Sequence, residues 1–229
     1  MTILNRRTMI AGLTATSGLI LLPGTARAQF GLGDLNLSSI LGKATDSALD
    51  KLAEPGAYYG DEDVRIGLPI VGGSTGGGLL GSIMSGASKL GILDDVTKQI
   101  NDAAGVAAGE AKPIFREAID GLSFSDAPDI LNEDDGGTQY LRSSSNDALH
   151  AKLSPLIDGA MEEIGVYKTF DSLSAQHSFI SQAGLTRESI NKTVTDQGLD
   201  GIFKYVGKEE IAFRKDPVGN VTKSLKGLF

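Results

Sequence analysis

Residues 93–107 read LDDVTKQINDAAGVA, and this stretch predicts an amphipathic helix. Its apolar positions are Leu93, Val96, Ile100, Ala103, Ala104 and Ala107. Because they recur every three or four residues, they lie on one face of a helix. Asp94 and Asp95 fall in its first turn, where the helix dipole favours negative charge. We expect the fold to be built from helices that each bury one such face.

The same spacing recurs along most of the chain and predicts an all-α fold of about eight or nine helices. The stripe quoted above continues to residue 122 across Pro113, which should kink or restart the helix. A later stripe crosses Pro155, and both Thr138 and Thr186 are suited to cap helix starts. The other expected helices span residues 37–52, 79–87, 126–131, 138–149, 153–164, 167–173, 187–206 and 217–228.

A short run at residues 64–68 is the single extended segment that the sequence predicts. Val64, Ile66 and Leu68 alternate with polar or small residues, which is typical of a strand. Pro69 ends the run, and no second comparable run exists to pair with it. We therefore expect an extended arm packed on the helices, so that the fold is a multi-helix bundle with one short arm.

The first 28 residues have the organisation of an export signal. Two adjacent arginines, Arg6 and Arg7, precede an apolar stretch at 11–22, and Ala26 and Ala28 form a small-x-small cleavage site. The arginine pair and the mildly apolar stretch favour the twin-arginine export route, with an ordinary secretory signal as the alternative.

The remainder, residues 29–229, is expected to be a single helical domain with a glycine-rich loop at 72–78. No other segment reaches about 18 uninterrupted apolar residues, so we expect no membrane span after the signal. The formal net charge of the 229-residue chain is -8, and so acidic a protein repels the phosphates of nucleic acids. The expected location is the periplasm, or the exterior of a cell that lacks one.

The cysteine and histidine counts exclude several classes of chemistry. With no cysteine, the chain cannot form a disulfide, a thiolate nucleophile, an iron–sulfur cluster or a cysteine zinc site. Its two histidines, His150 and His177, make a histidine-rich metal centre improbable as well. The acidic stretch at 129–135 does not fit the ligand spacing of an EF-hand, which favours a solvated loop. We therefore expect no metal and no cofactor.

Several short segments, taken in order, are similar to a known bacterial envelope family. They are AYY at 57–59, VRIGLP at 64–69, AKPIF at 111–115, FSDA at 124–127, TQYLR at 138–142, GIF at 201–203, EEI at 209–211 and RKDP at 214–217. Together they resemble domain of unknown function 4197 over nearly all of residues 29–229. The resemblance implies a secreted helical protein of unassigned activity. At 99–105, QINDAAG, the chain lacks Arg and Glu charges that the family tends to carry.

Residues 72–76, GGSTG, match the Gly-x-Ser-x-Gly nucleophile elbow of hydrolases. In such an elbow Ser74 would be the nucleophile, and by chain order either histidine could be the base. The elbow needs a parallel sheet beneath it, which the sequence does not predict, and a flexible linker explains the same residues. A serine hydrolase using Ser74 is therefore the alternative hypothesis. Ser189 and Lys192 match S-x-x-K without its companion motifs, and we attribute the match to chance.

Tyr58, Arg65, Tyr140 and Arg142 are the candidate binding residues, and all four lie in segments that carry the resemblance. A guanidinium group pairs bidentately with a carboxylate or phosphate, so these arginines could hold such a group of a ligand. The alternative is that the arginines tie loops to nearby carboxylates and the tyrosines pack. The leading hypothesis is non-enzymatic binding of a small ligand or an envelope protein, with no catalytic residue.

Overall fold

The structure is a computed structural model that describes residues 30–68, 94–123, 133–176 and 186–216. These residues form seven helices and no strand, which confirms the all-α class for this part of the chain. The helices are α1 (Phe30–Leu52), α2 (Ala57–Gly60), α3 (Asp94–Glu110), α4 (Lys112–Asp120), α5 (Gly136–Ile164), α6 (Val166–Gln176) and α7 (Arg187–Lys215). None of these described helices combines the length and apolarity that a membrane span requires.

The expected count of eight or nine helices is wrong for the described residues. The two helices predicted over 138–164 are one continuous helix, α5, with Pro155 inside it. An interior proline costs a helix about 3 kcal/mol through its missing N–H group. Leu153 and Ile157, on either side of the proline, are both buried, and this packing offsets the cost. The helices expected at 79–87, 126–131 and 217–228 lie outside the described residues.

The two capping predictions have different outcomes. Thr186 caps α7, because its Oγ1 accepts a hydrogen bond from the N–H of Ser189 at 3.1 Å. The Oγ of Ser189 accepts in return from the N–H of Thr186 at 2.9 Å, so this serine has a structural role. The prediction that Thr138 is a cap is wrong, because α5 begins two residues earlier, at Gly136.

Helices α5 and α7 form the centre of the bundle. Helix α7 packs along α1 and α5, and α5 also packs on α3. The sequence predicts a helix break or restart at Pro113, and helix α4 begins beside this proline. Helix α4 packs on α1 and α5. Phe115 of α4 meets Phe203 of α7 edge to face, with the ring centroids 6.1 Å apart and both side chains buried. The apolar faces of the helices thus meet in one core.

The predicted arm at residues 64–68 lies outside any helix or strand, and it begins in a turn in which the N–H groups of Val64 and Arg65 donate to the carbonyl of Asp61. Val64 and Ile66 are buried, and Leu68 packs against the core. The arm lies on two glycines of α7: a Cβ atom at Gly201 would lie 3.3 Å from the Cβ of Val64, and one at Gly198 would lie 3.8 Å from Cδ1 of Ile66. The missing side chains let the arm approach the helix closely.

Two side-chain amides hold the backbone of the arm. Asn101 of α3 binds Ile66 twice: its Oδ1 accepts from the N–H at 2.8 Å, and its Nδ2 donates to the C=O at 2.9 Å. Gln197 of α7 binds both backbone groups of Gly67 in the same way, at 2.9 Å and 3.1 Å. No described residue forms a strand beside the arm, and these amides supply the hydrogen bonds that a neighbouring strand would make.

We expect Gly201→Ala to destabilise the protein by about 1–3 kcal/mol through overpacking. The new Cβ would lie 2.9 Å from Cε1 of the buried Tyr58, which has no room to move away. Urea unfolding measures the change. Gly159→Ala is the matched control, because no atom lies within 4 Å of a Cβ there and alanine should stabilise α5 by up to about 1 kcal/mol. Equal effects of both substitutions would contradict the close packing of Gly201.

Candidate functional site

A groove of about 490 Å³ opens between the arm, the first turns of α5 and the middle of α7. Its charged lining residues are Asp63, Arg65, Asp135, Arg142, Asp200 and Lys204. We call this site the charged groove. It brings together Arg65 and Arg142, two of the four predicted binding residues, from elements that are far apart in the sequence.

Arg65 is held in place by its neighbour Tyr59. Its Nε donates to the backbone carbonyl of Tyr59 at 2.6 Å, and its guanidinium carbon lies 4.9 Å from the centroid of the tyrosine ring. Stacking on the ring adds a cation–π attraction and restricts the side chain. Among the described residues, Nη1 and Nη2 of Arg65 have no hydrogen-bond partner, so these donors are open to a ligand.

Arg142 spans the groove from α5 to α7. Its Nη2 forms an ion pair with Asp200, and its guanidinium carbon lies 5.3 Å from the ring centroid of Phe203. Both charged side chains are at least half exposed, so the pair by itself contributes about 0–1 kcal/mol of stability. Within the described ranges, Nε and Nη1 of Arg142 bind no other group, so a ligand acceptor could bind there while Asp200 stays in place.

The remaining charges of the groove are bound differently. Nζ of Lys204 donates to the backbone carbonyl of Asp63 at 3.1 Å and lies 3.4 Å from Oδ1 of the same residue. Oδ1 of Asp135 accepts from Nε2 of Gln139 at 2.8 Å. No cation of the described residues lies within ion-pair distance of Asp135, which distinguishes it from the other two groove carboxylates.

A buried carboxylate fixes the position of α5 beside α7. Glu210 of α7 is fully buried and accepts from the backbone N–H groups of Gly137 and Thr138, at 3.0 Å and 2.7 Å. It also accepts from the Thr138 hydroxyl at 2.6 Å and from Nη2 of Arg214 at 2.6 Å. The first N–H groups of a helix have no partner within the helix, so Glu210 supplies the acceptors they need.

Sequence reasoning missed this anchor, although one local feature points to it. A Cβ atom at Gly137 would lie 2.7 Å from Oε1 of Glu210, so the anchor requires glycine at the start of α5. The preceding residue Glu209 points elsewhere, and accepts from Ser47 and Lys51 of α1. The paired glycines before Thr138 are the feature from which a close approach could have been inferred.

The two predicted tyrosines do not line the groove. Tyr58 is buried beneath it, and its hydroxyl donates to the carbonyl of Gly198 at 3.0 Å. Burial raises the pKa of Tyr58 far above its usual range, so this hydroxyl stays protonated. Tyr140 lies away from the groove and donates to the carbonyl of Ser123 at 2.9 Å. Both tyrosines therefore have structural contacts.

A family model described as a protein of unknown function, DUF4197, matches residues 35–229. The chain belongs to the DUF4197 family. All four predicted binding residues of this DUF4197 chain, and the whole charged groove, fall within the matched region. No curated protein and no solved structure matches the chain.

Of the other residues singled out in this DUF4197 chain, the described residue His150 does not line the groove. His150 of α5 is partly exposed, and its Nε2 lies 3.0 Å from Oδ1 of Asp196. In the described part of the chain, no three carboxylate or histidine side chains are grouped as a metal site would require. Ser74, His177, Arg6, Arg7, Ala26 and Ala28 lie outside the described residues. The hydrolase and export hypotheses that depend on them remain predictions.

Proposed function

We propose that this protein is an exported, non-enzymatic binding protein that holds the carboxylate or phosphate group of a small ligand in the charged groove. The observation that carries the proposal is that Arg65 and Arg142, from distant segments, line one groove with part of their N–H donors unused by the described residues. A guanidinium group binds carboxylate or phosphate through two parallel hydrogen bonds. A carboxylate presented by an envelope protein would satisfy the same donors.

The surroundings of both arginines support a binding role. Each guanidinium stacks on an aromatic ring, Tyr59 for Arg65 and Phe203 for Arg142. A side chain that is already ordered loses less conformational entropy when a ligand binds, which raises affinity. The buried amide of Asn101 holds the arm that carries Arg65, and Glu210 holds the start of α5, the helix that carries Arg142, so the groove is built on a rigid base.

We expect Arg65→Gln and Arg142→Gln each to weaken binding of acetate or inorganic phosphate by about tenfold or more. Each substitution removes a charge-assisted hydrogen bond, which contributes about 1.5–3 kcal/mol. The dissociation constants come from NMR titrations that follow the amide signals of Gln139 and Gly201, two groove residues.

Arg116→Gln is the matched control for these variants. Arg116 also forms an ion pair, through Nε at 3.0 Å from Oδ1 of Asp46, but it does not line the groove. The Arg116→Gln variant should keep the dissociation constants of acetate and phosphate within about twofold of the parent values. The proposal is wrong if neither anion binds saturably, or if Arg116→Gln weakens binding as much as the groove variants do.

For export, we propose that residues 1–28 act as a twin-arginine signal. Changing Arg6 and Arg7 together to lysine should then block appearance of the processed chain outside the cytoplasm, because the adjacent arginines define the twin-arginine signal. Cell fractionation and immunoblotting measure the result. Arg27→Lys, which changes an arginine outside the pair, should leave export intact. Unchanged export of the Arg6→Lys, Arg7→Lys variant would show that a different route is used.

A further inference from the structure

The charges that line the groove are balanced, although the chain as a whole is acidic. Three carboxylates face three cations, whereas the whole chain has a formal net charge of -8. Two pairs are already made within the protein, between Arg142 and Asp200 and between Lys204 and Asp63. One residue of each sign remains without an ion-pair partner among the described residues: the cation Arg65 and the carboxylate Asp135.

These two residues belong to different walls of the groove. Arg65 lies on the arm, and Asp135 directly precedes the first residue of α5. Only Oδ1 of Asp135 has a donor among the described residues, the side-chain amide of Gln139, so Oδ2 is left as an acceptor. A guanidinium donor and a carboxylate acceptor therefore line one cavity without satisfying each other.

We propose that the ligand of the charged groove is amphoteric and carries both a carboxylate and an ammonium group. This inference rests on the proposed function, because the carboxylate of the ligand binds Arg65 and Arg142. The ammonium group then pairs with Asp135. A ligand of this kind adds no net charge to a groove whose own charges already balance.

Charge balance also favours an amphoteric ligand over a simple anion, which should bind the same arginines more weakly. An anion that approaches Arg65 enters a groove that holds Asp63, Asp135 and Asp200, and Asp135 stays without a counter-ion. Like charges in one site repel, and the repulsion is stronger where the protein excludes water. An ammonium group on the same molecule removes that repulsion and adds a second charge-assisted contact.

The test compares three matched series of probes on the purified full chain by NMR titration. The amino acids are β-alanine, γ-aminobutyrate and ε-aminocaproate, whose charges are separated by increasing lengths of chain. Propionate, butyrate and caproate lack the ammonium group, and propylamine, butylamine and hexylamine are the amine counterparts. We expect one amino acid to bind at least about tenfold more tightly than its matched carboxylate and amine.

Two variants separate the amphoteric inference from the proposed function. Asp135→Asn should weaken amino-acid binding by about tenfold while leaving carboxylate binding unchanged or slightly tighter. Asparagine is as good a residue as aspartate at a helix start, so the fold should persist. Arg65→Gln should weaken both classes of probe. Asp134→Asn is the matched control, since Asp134 pairs with Lys215 and does not line the groove.

The outcomes distinguish failure of the amphoteric inference from failure of the proposed anion site. If a carboxylate binds as tightly as its amino acid, or if Asp135→Asn behaves as Asp134→Asn does, the ligand is not amphoteric and the anion site stands. The proposed anion site is wrong if Arg65→Gln and Arg142→Gln leave the dissociation constants of all probes unchanged, or if an amine alone binds as tightly as its matched amino acid. The amphoteric inference is then wrong as well.

Discussion

Replacing Glu210 with alanine is expected to lower the free energy of unfolding by about 3–5 kcal/mol. The carboxylate is fully buried, and its loss leaves the N–H groups of Gly137 and Thr138 without their acceptor. Arg214, whose side chain is 23% exposed, loses the same carboxylate. Each buried polar group that loses its partner costs about 1–3 kcal/mol. Urea unfolding followed by far-ultraviolet circular dichroism measures the loss.

Glu209→Ala is the matched control for this prediction. Its carboxylate binds Ser47 and Lys51, and the lysine side chain is half exposed, so water can replace much of the lost contact. We expect a loss of about 1 kcal/mol. Glu210→Gln, which retains one acceptor oxygen, should fall between the two alanine variants. Equal losses for Glu209→Ala and Glu210→Ala would contradict an anchoring role of Glu210.

This anchor also determines the geometry of the charged groove. Because Glu210 binds the first turn of α5, it fixes where α5 begins relative to α7. Asp135 directly precedes that turn, and Arg142 follows it and pairs with Asp200 of α7. The facing arrangement of these charges therefore depends on a residue that does not itself line the groove.

The helices could be predicted where the spacing of apolar residues within one short segment is enough to indicate them. The spacing of Val96, Ile100 and Ala103 alone predicts that they share one face of α3, and all three are buried. The continuity of α5 could not be predicted in this way. The cost of Pro155 is local and visible in the sequence, whereas the packing that offsets it comes from α3 and α7, which are distant in the chain.

The candidate site likewise combines features visible within one segment with features that depend on packing between distant segments. Arg65 and Arg142 could be selected from the sequence because of what a guanidinium group binds, but their meeting in one groove depends on how α5 packs on α7. Tyr58 and Tyr140 are candidates as aromatic members of the same resemblance segments, and both lie outside the groove. Glu210 was missed because acidic side chains are rarely buried, and its partners Gly137 and Thr138 are more than 70 residues away.

Asn101→Ala is expected to destabilise the protein by about 2–5 kcal/mol and to loosen the arm. Asn101 is almost fully buried, and its side chain satisfies both backbone groups of Ile66, which is itself buried. Removing the amide leaves an N–H and a C=O group in the core without partners, at about 1–3 kcal/mol each. Urea unfolding measures the stability, and hydrogen exchange at the Ile66 amide measures the opening of the arm.

Gln197→Ala provides the comparison that isolates burial as the cause. Gln197 makes the equivalent pair of hydrogen bonds to Gly67, but Gly67 is exposed, so water replaces the lost partners. We expect a loss below about 1 kcal/mol and little change in exchange at Ile66. Asn101→Asp should also be strongly destabilising, because it keeps the acceptor for Ile66, loses the donor and adds a buried charge. If Asn101→Ala and Gln197→Ala cost the same, the arm is held by its apolar side chains and the buried amide is not its anchor.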